Sequence, residues 1–193
     1  MKKSYDRKIF TIKMLGMDLK FLLSAWSKII GINRNKKINK AFTEKIMTIV
    51  TAVNGCTYCT WFHAKQAVSS GISKEEVRRM LQLQFHADAT DFEIPALLYA
   101  QHYAETDRNP DKEMSFKLFE YYGDKTANHI IIIIRIIFFG NLTGNTFDAF
   151  ISRLNGIPAK NSNKIFEFIF FIVTAPLLLP LIPFTKKYRN PNF

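Results

Sequence analysis

The chain has little of several things. Only two cysteines occur in 193 residues, too few for the disulfide scaffold of a small extracellular protein, so a reducing compartment is the expectation. Eight glycines and seven prolines leave long uninterrupted periodic runs, which points to helices. Acidic residues are also scarce: 16 Asp and Glu face 27 Lys and Arg, a net charge of +11. No nucleic-acid motif accompanies this charge, and the basic residues gather at the ends and in the stretch GINRNKKINK, so nucleic acid is not the expected partner. Lys13, Asp18 and Lys20 interrupt the apolar start IFTIKMLGMDLKFLL, which excludes a signal-peptide reading and makes the cytoplasm the default location. No internal repeat is visible. With 48% hydrophobic residues the chain has enough apolar material for one substantial core.

What is present is concentrated. Both cysteines lie in EKIMTIVTAVNGCTYCTWFHAKQA, where Glu44, Cys56, Cys59 and His63 form Glu-x11-Cys-x2-Cys-x3-His. Apolar positions 42, 46, 49, 50 and 53 have helical spacing that stops at Asn54-Gly55, and a second helical pattern runs from Cys56 to Gly71. Cys56, Cys59 and His63 then share one face, with Cys59 and His63 as i, i+4 neighbours. A hairpin about Asn54-Gly55 would bring Glu44 level with His63.

These residue types belong together chemically. A thiol with an ordinary pKa of about 8.5 is mostly protonated at neutral pH, and only the thiolate attacks peroxides or disulfides. Cys56 is nearest the helix start and Cys59 nearest the base, so either could attack first. A Glu hydrogen-bonded to the imidazole fixes its tautomer and supports it as a base. A second cysteine one turn away can condense with a sulfenic acid before irreversible oxidation.

Glu44, GCTYC and His63, with the downstream SGISKEEV, resemble the signature of the carboxymuconolactone decarboxylase superfamily in its alkylhydroperoxidase D-like branch. The later stretch 116–158, FKLFEYYGDKTANHIIIIIRIIFFGNLTGNTFDAFISRLNGIP, resembles the family's second helical half, so the likeness covers about 36–158. It implies an all-α helical bundle, homo-oligomeric, with a thiol-dependent peroxidase activity: His63, supported by Glu44, deprotonates Cys59; the thiolate attacks a hydroperoxide; Cys56 resolves the sulfenic acid; an external dithiol restores the pair. No cofactor is implied. Tyr58 stands where some members carry a histidine, which puts a proton-handling role there in doubt. Family decarboxylases generally lack the cysteine pair, which disfavours that reaction.

Other readings compete. Structural zinc needs four ligands, and Cys56, Cys59 and His63 offer three unless a distant His86, His102 or His129 supplies another; no metal is expected. A thioredoxin-like motif would follow a strand, not a helix. Two unreactive core cysteines are the bland alternative. A membrane-associated redox sensor or adaptor, which reports oxidation without turnover, is the alternative from another class, and a third is a different enzymatic activity on the same fold.

Around the motif, the patterns predict an amphipathic helix over 8–30, a basic linker, a helix from Ser73 to about His86 opened by a capping box, and further helices over 91–105, 113–122 and 125–154. Gly123 divides the last two. Apart from Arg135 the run 130–139 is apolar, which predicts deep burial, between subunits; Gly140 and Gly144 suit close helix contact. The chain thus divides into an N-terminal helix and linker (1–35), the family-like domain (36–158) and an apolar tail (159–193). FIFFIVTAPLLLPLIPF, residues 168–184, has no charge, is followed by KKYR, and holds three prolines expected to break a helix. A peripheral membrane contact through 168–193 and an arm across a neighbouring subunit are equally good readings.

Overall fold

In a computed structural model the chain is described over residues 5–31, 37–160 and 162–186. The basic stretch at 32–36 and the KYR that ends the KKYR run lie outside the described residues. Among those described there is no strand, and the protein is an all-α bundle. Its helices are α1 (Ile12–Ser24), α2 (Trp26–Gly31), α3 (Lys40–Asn54), α4 (Thr57–Ser69), α5 (Lys74–Leu81), α6 (Ile94–Glu105), α7 (Lys112–Leu154) and α8 (Lys164–Leu178), which runs through a 3-10 turn into α9 (Ile182–Thr185).

Side-chain caps set most of the starts. Thr11, Asn39, Ser73 and Asn163 each accept an N–H from the first turn of α1, α3, α5 and α8 respectively, which satisfies donors that have no partner within the helix. Thr11 also shortens the helix expected over 8–30. Residues before it are extended, and Tyr5 pairs with the Pro158–Ala159 segment, its N–H on the Pro158 carbonyl at 3.2 Å. A non-helical Ala25 then divides α1 from α2. The helix expected to reach His86 stops at Leu81, because Leu83 takes φ 61° and turns the chain.

Helix α3 is the hub, packed against α4, α5, α6 and α7. Ile46, Ile49 and Val50 are fully enclosed, in one core with Leu97 and Ala100 of α6 and Ile130, Ile133 and Ile134 of α7. Gly123 (φ 73°, ψ 161°) kinks α7 where the sequence pattern divides two helices. The isoleucine run beyond it is covered by this chain's own α3 and α6, so the burial expected between subunits is supplied within one protomer. The tail prolines also differ from expectation. Pro176 sits inside α8, and Pro180 and Pro183 occupy first-turn positions of the 3-10 turn and α9, where a missing N–H costs little. The segment from Lys164 to Thr185 therefore stays helical for 22 residues and is mostly uncovered. By length and composition it and α7 could each cross a membrane, but most of α7's apolar stretch is core.

Candidate active site

Asn54 ends α3 and Gly55 follows in the left-handed region (φ 68°), its N–H on the Thr51 carbonyl at 2.8 Å. A Cβ is disfavoured there. The chain reverses within two residues, and Cys56 becomes the N-cap of α4, its Sγ accepting the Cys59 N–H at 3.3 Å. The hairpin brings Glu44 to His63: Oε2 lies 2.8 Å from Nδ1, and both side chains are about nine-tenths enclosed. Opposite an ionised carboxylate, which only accepts, a neutral imidazole donates from Nδ1 and presents its lone pair at Nε2.

The two thiols differ. Cys56 is fully buried, Cys59 only partly. Burial pushes the Cys56 thiol well up, with a hydrogen bond and charge interaction from Cys59 adding to it. Cys59 and His63 both line a cavity of about 240 Å³ whose other walls are Met47, Phe62, Ile136, Ile137 and Gly140. Gly140 helps to leave that space open, since a Cβ there would meet nothing within 4 Å. Gly144, one turn on, serves close packing instead, for a Cβ would stand 2.7 Å from Cys56 Sγ and 3.0 Å from the Tyr58 ring. The close helix contact expected of the two glycines is made at Gly144, by the start of α4.

Behind the thiols lies a polar set that the motif spacing does not announce. Asn141, Asn145 and Asp148 occupy one face of α7 at i, i+4 and i+7. Asn141 donates to Thr51 (3.0 Å) and accepts from Asn54 (3.2 Å), and Asn145 donates to the Asn54 carbonyl (2.8 Å). Asp148 accepts from the Tyr58 hydroxyl at 2.8 Å and from Arg7 at 3.0 Å. Tyr58 thus anchors the first turn of α4 to α7. Two amides and a carboxylate at helical spacing just after the apolar run of α7 were the available signal; Arg7, 141 residues away, gave none. Phe147 and Leu178 close over Cys56 from α7 and the tail.

Glu44, Cys56, Cys59 and His63 are therefore gathered at one hairpin. The remaining histidines are not part of it. His86 stacks on Phe85, and His102 Nε2 accepts the Asp111 N–H at 3.1 Å. No group of three or more His, Cys, Asp or Glu with metal-binding geometry occurs among the described residues.

No curated protein and no solved structure matches the chain. A family model does match, that of the Carboxymuconolactone decarboxylase family, over residues 22–103. The matched stretch takes in α3, α4, α5 and nearly all of α6, and so holds Glu44, both cysteines and His63. Over this stretch the chain is similar to the Carboxymuconolactone decarboxylase family.

Proposed function

We propose that the protein is a thiol-dependent peroxidase in which Cys59 is the attacking cysteine. The reading is carried by one observation: Cys59 and the Glu44-oriented His63 face the same small apolar cavity, while Cys56 sits behind them, buried and hard to ionise. His63 Nε2 takes the Cys59 proton. The thiolate sulfur attacks the terminal peroxide oxygen, the S–O bond forms as the O–O bond breaks, and the departing alkoxide takes the proton back from His63, giving Cys59 sulfenic acid and an alcohol. Cys56 then attacks the sulfenic sulfur; a disulfide forms and water leaves. An external dithiol reduces the disulfide by exchange and is itself oxidised.

Single-cysteine variants treated with one equivalent of hydroperoxide and a sulfenate-trapping reagent test the assignment. Label is expected on Cys59 when Cys56 is replaced by Ser, and little on Cys56 in the reverse variant. Label at neither cysteine overturns the peroxidase reading. His63→Ala should lower the rate at neutral pH by about 10² to 10⁴. Glu44→Gln should lower it less, and because relay members act as a unit the double variant should be little worse than His63→Ala. Both should recover much of the rate at a pH where the thiolate forms unaided. Independent, multiplicative losses without recovery would exclude a shared proton path.

The uncovered face of α8 favours a location as well. Ile165, Ile169, Ile172, Val173 and Leu177 are each more than half exposed, and Lys164 and Lys186 flank the apolar segment. We infer that this face rests on an anionic membrane surface, which attracts flanking cations at about 1 kcal/mol each near the surface. Sedimentation with anionic vesicles at low salt tests it. A homo-oligomer that instead covers this face would show a concentration-dependent mass and no vesicle binding.

A further inference from the structure

Helix α4 has a second side. Cys59, Phe62 and His63 face the thiol cavity, whereas Trp61, Lys65 and Val68 line a separate cavity of about 830 Å³ between α4, α5 and the end of the tail. Its size is within the usual range for small-molecule sites, about 300–1,000 Å³. The apolar wall is built from Trp61, Val68 and Phe184, with the Trp61 and Phe184 rings stacked at 5.7 Å. Lys65 Nζ stands 5.0 Å from the centre of the Trp61 ring. Lys74 and Arg78 of α5 bring two more cations to the same lining, against one carboxylate, Glu75.

An aromatic and aliphatic wall with an excess of cations is complementary to one kind of small molecule: an apolar body that ends in a single negative charge. A purely apolar ligand would leave the cations without a role, and a purely polar anion would leave the wall wet. A second protein segment is disfavoured, since Phe184 of this chain's own tail already supplies the wall that such a segment would bring. We propose that this cavity binds a single-chain amphipathic carboxylate of the fatty-acid class, with its chain along Trp61 and Phe184 and its carboxylate between Lys65 and Arg78. The site is on the other side of α4 from the thiol cavity and stands or falls independently of the peroxidase reading.

Trp61 is both wall and reporter. The only other tryptophan, Trp26, is exposed on α2, so full-length Trp26→Phe leaves a single emitter at the cavity. Sodium dodecanoate, titrated below its micellar concentration, is expected to change that emission saturably, with matching calorimetric heats. Dodecylammonium, of equal chain length and opposite charge, should produce neither. Removing two charge-assisted contacts by Lys65→Glu with Arg78→Glu should weaken dodecanoate binding by about tenfold or more. Lys13→Glu with Lys20→Glu, the same change of net charge on α1, should alter it less than about twofold, since distant surface charges are screened. Both pairs are exposed, so melting temperatures check that each variant remains folded. Equal responses to the two amphiphiles, unchanged affinity in the Lys65/Arg78 variant, or no saturable change with dodecanoate overturns the proposal.

Discussion

Helices α7 and α8 are both apolar enough, and long enough with α9, to span a membrane, yet 67% of the most apolar window of α7 is buried and only 22% of that of the tail. The tail is the more apolar of the two, with a mean hydropathy of 2.4 against 1.7. Hydrophobicity alone therefore does not rank burial here. What separates them is polar furniture. Asn141, Asn145 and Asp148 give α7 fixed partners in α3, α4 and the N-terminal segment, so its register against those elements is determined, and Gly144 lets α4 approach closely. Among the described residues helix α8 has one such tie on its covered side, fully buried Glu167 paired with Arg153 at 2.6 Å, beside apolar contacts such as Phe171 on Phe147. Its other side is held by nothing among the described residues.

The contrast is broken most severely by an equal truncation on each helix. Ile133→Ala, within the covered run of α7, should cost about 2–5 kcal/mol of unfolding free energy in a denaturant titration, because the enclosed site cannot collapse around the lost atoms. Val173→Ala, 72% exposed on α8, should stay within about 0.5 kcal/mol. Comparable losses at the two positions would mean that the tail is covered in solution, by a partner copy.

A smaller effect sharpens the role of α7 as the floor of the site. Gly144→Ala forces a methyl against the buried Cys56 sulfur and should cost about 1–3 kcal/mol by overpacking. Gly140→Ala has open space and should be neutral or stabilising by up to about 1 kcal/mol, while narrowing the cavity beside Cys59. Slower peroxide consumption with an unchanged melting temperature is therefore expected at Gly140, and the reverse emphasis at Gly144.

The buried thiol gives a pH signature on the same covered side. Burial raises the Cys56 pKa in the folded state above its unfolded value, so stability is unaffected below about pH 8.5, where the unfolded thiol is still protonated. Above that pH the unfolded state loses its proton first, and stability falls until the folded pKa is reached, by at most about 1.4 kcal/mol per pH unit. Denaturant titrations in reductant at pH 7.5 to 10 should show this decline, and Cys56→Ala should flatten it. The smallest expected change in stability, with the largest change in location, belongs to Ile169→Glu with Val173→Glu on α8: melting should hardly move, while sedimentation with anionic vesicles should be lost. Retained sedimentation would exclude this face as the membrane contact.

How much of this was legible in advance depends on sequence distance. The Asn54-Gly55 stop, the i, i+4 relation of Cys59 and His63, and the helix break at Gly123 are local, and local backbone preferences settle them whatever the surroundings. Glu44 opposite His63 needed only the assumption of a hairpin. The early end of the helix after Ser73 at Leu81 and the break at Ala25 lacked a comparable signal, for no glycine or proline marks either. The prolines of the tail misled because two of the three occupy first-turn positions, where proline is tolerated, and the helix also continues through the third, Pro176.

By itself the sequence determined an all-α chain, the hairpin, and the membership of one short stretch in a thiol, imidazole and carboxylate constellation, because each follows from spacings of a few residues. Only the tertiary structure decided that Cys56 and Cys59 are unlike. Their chemical difference arises from what α7, the tail and the N-terminal segment place around them: Phe147 and Leu178 over Cys56, Gly140 leaving space at Cys59, and Arg7 reaching Asp148 from the far end of the chain. Burial depends on which distant residues arrive, and no local pattern encodes that.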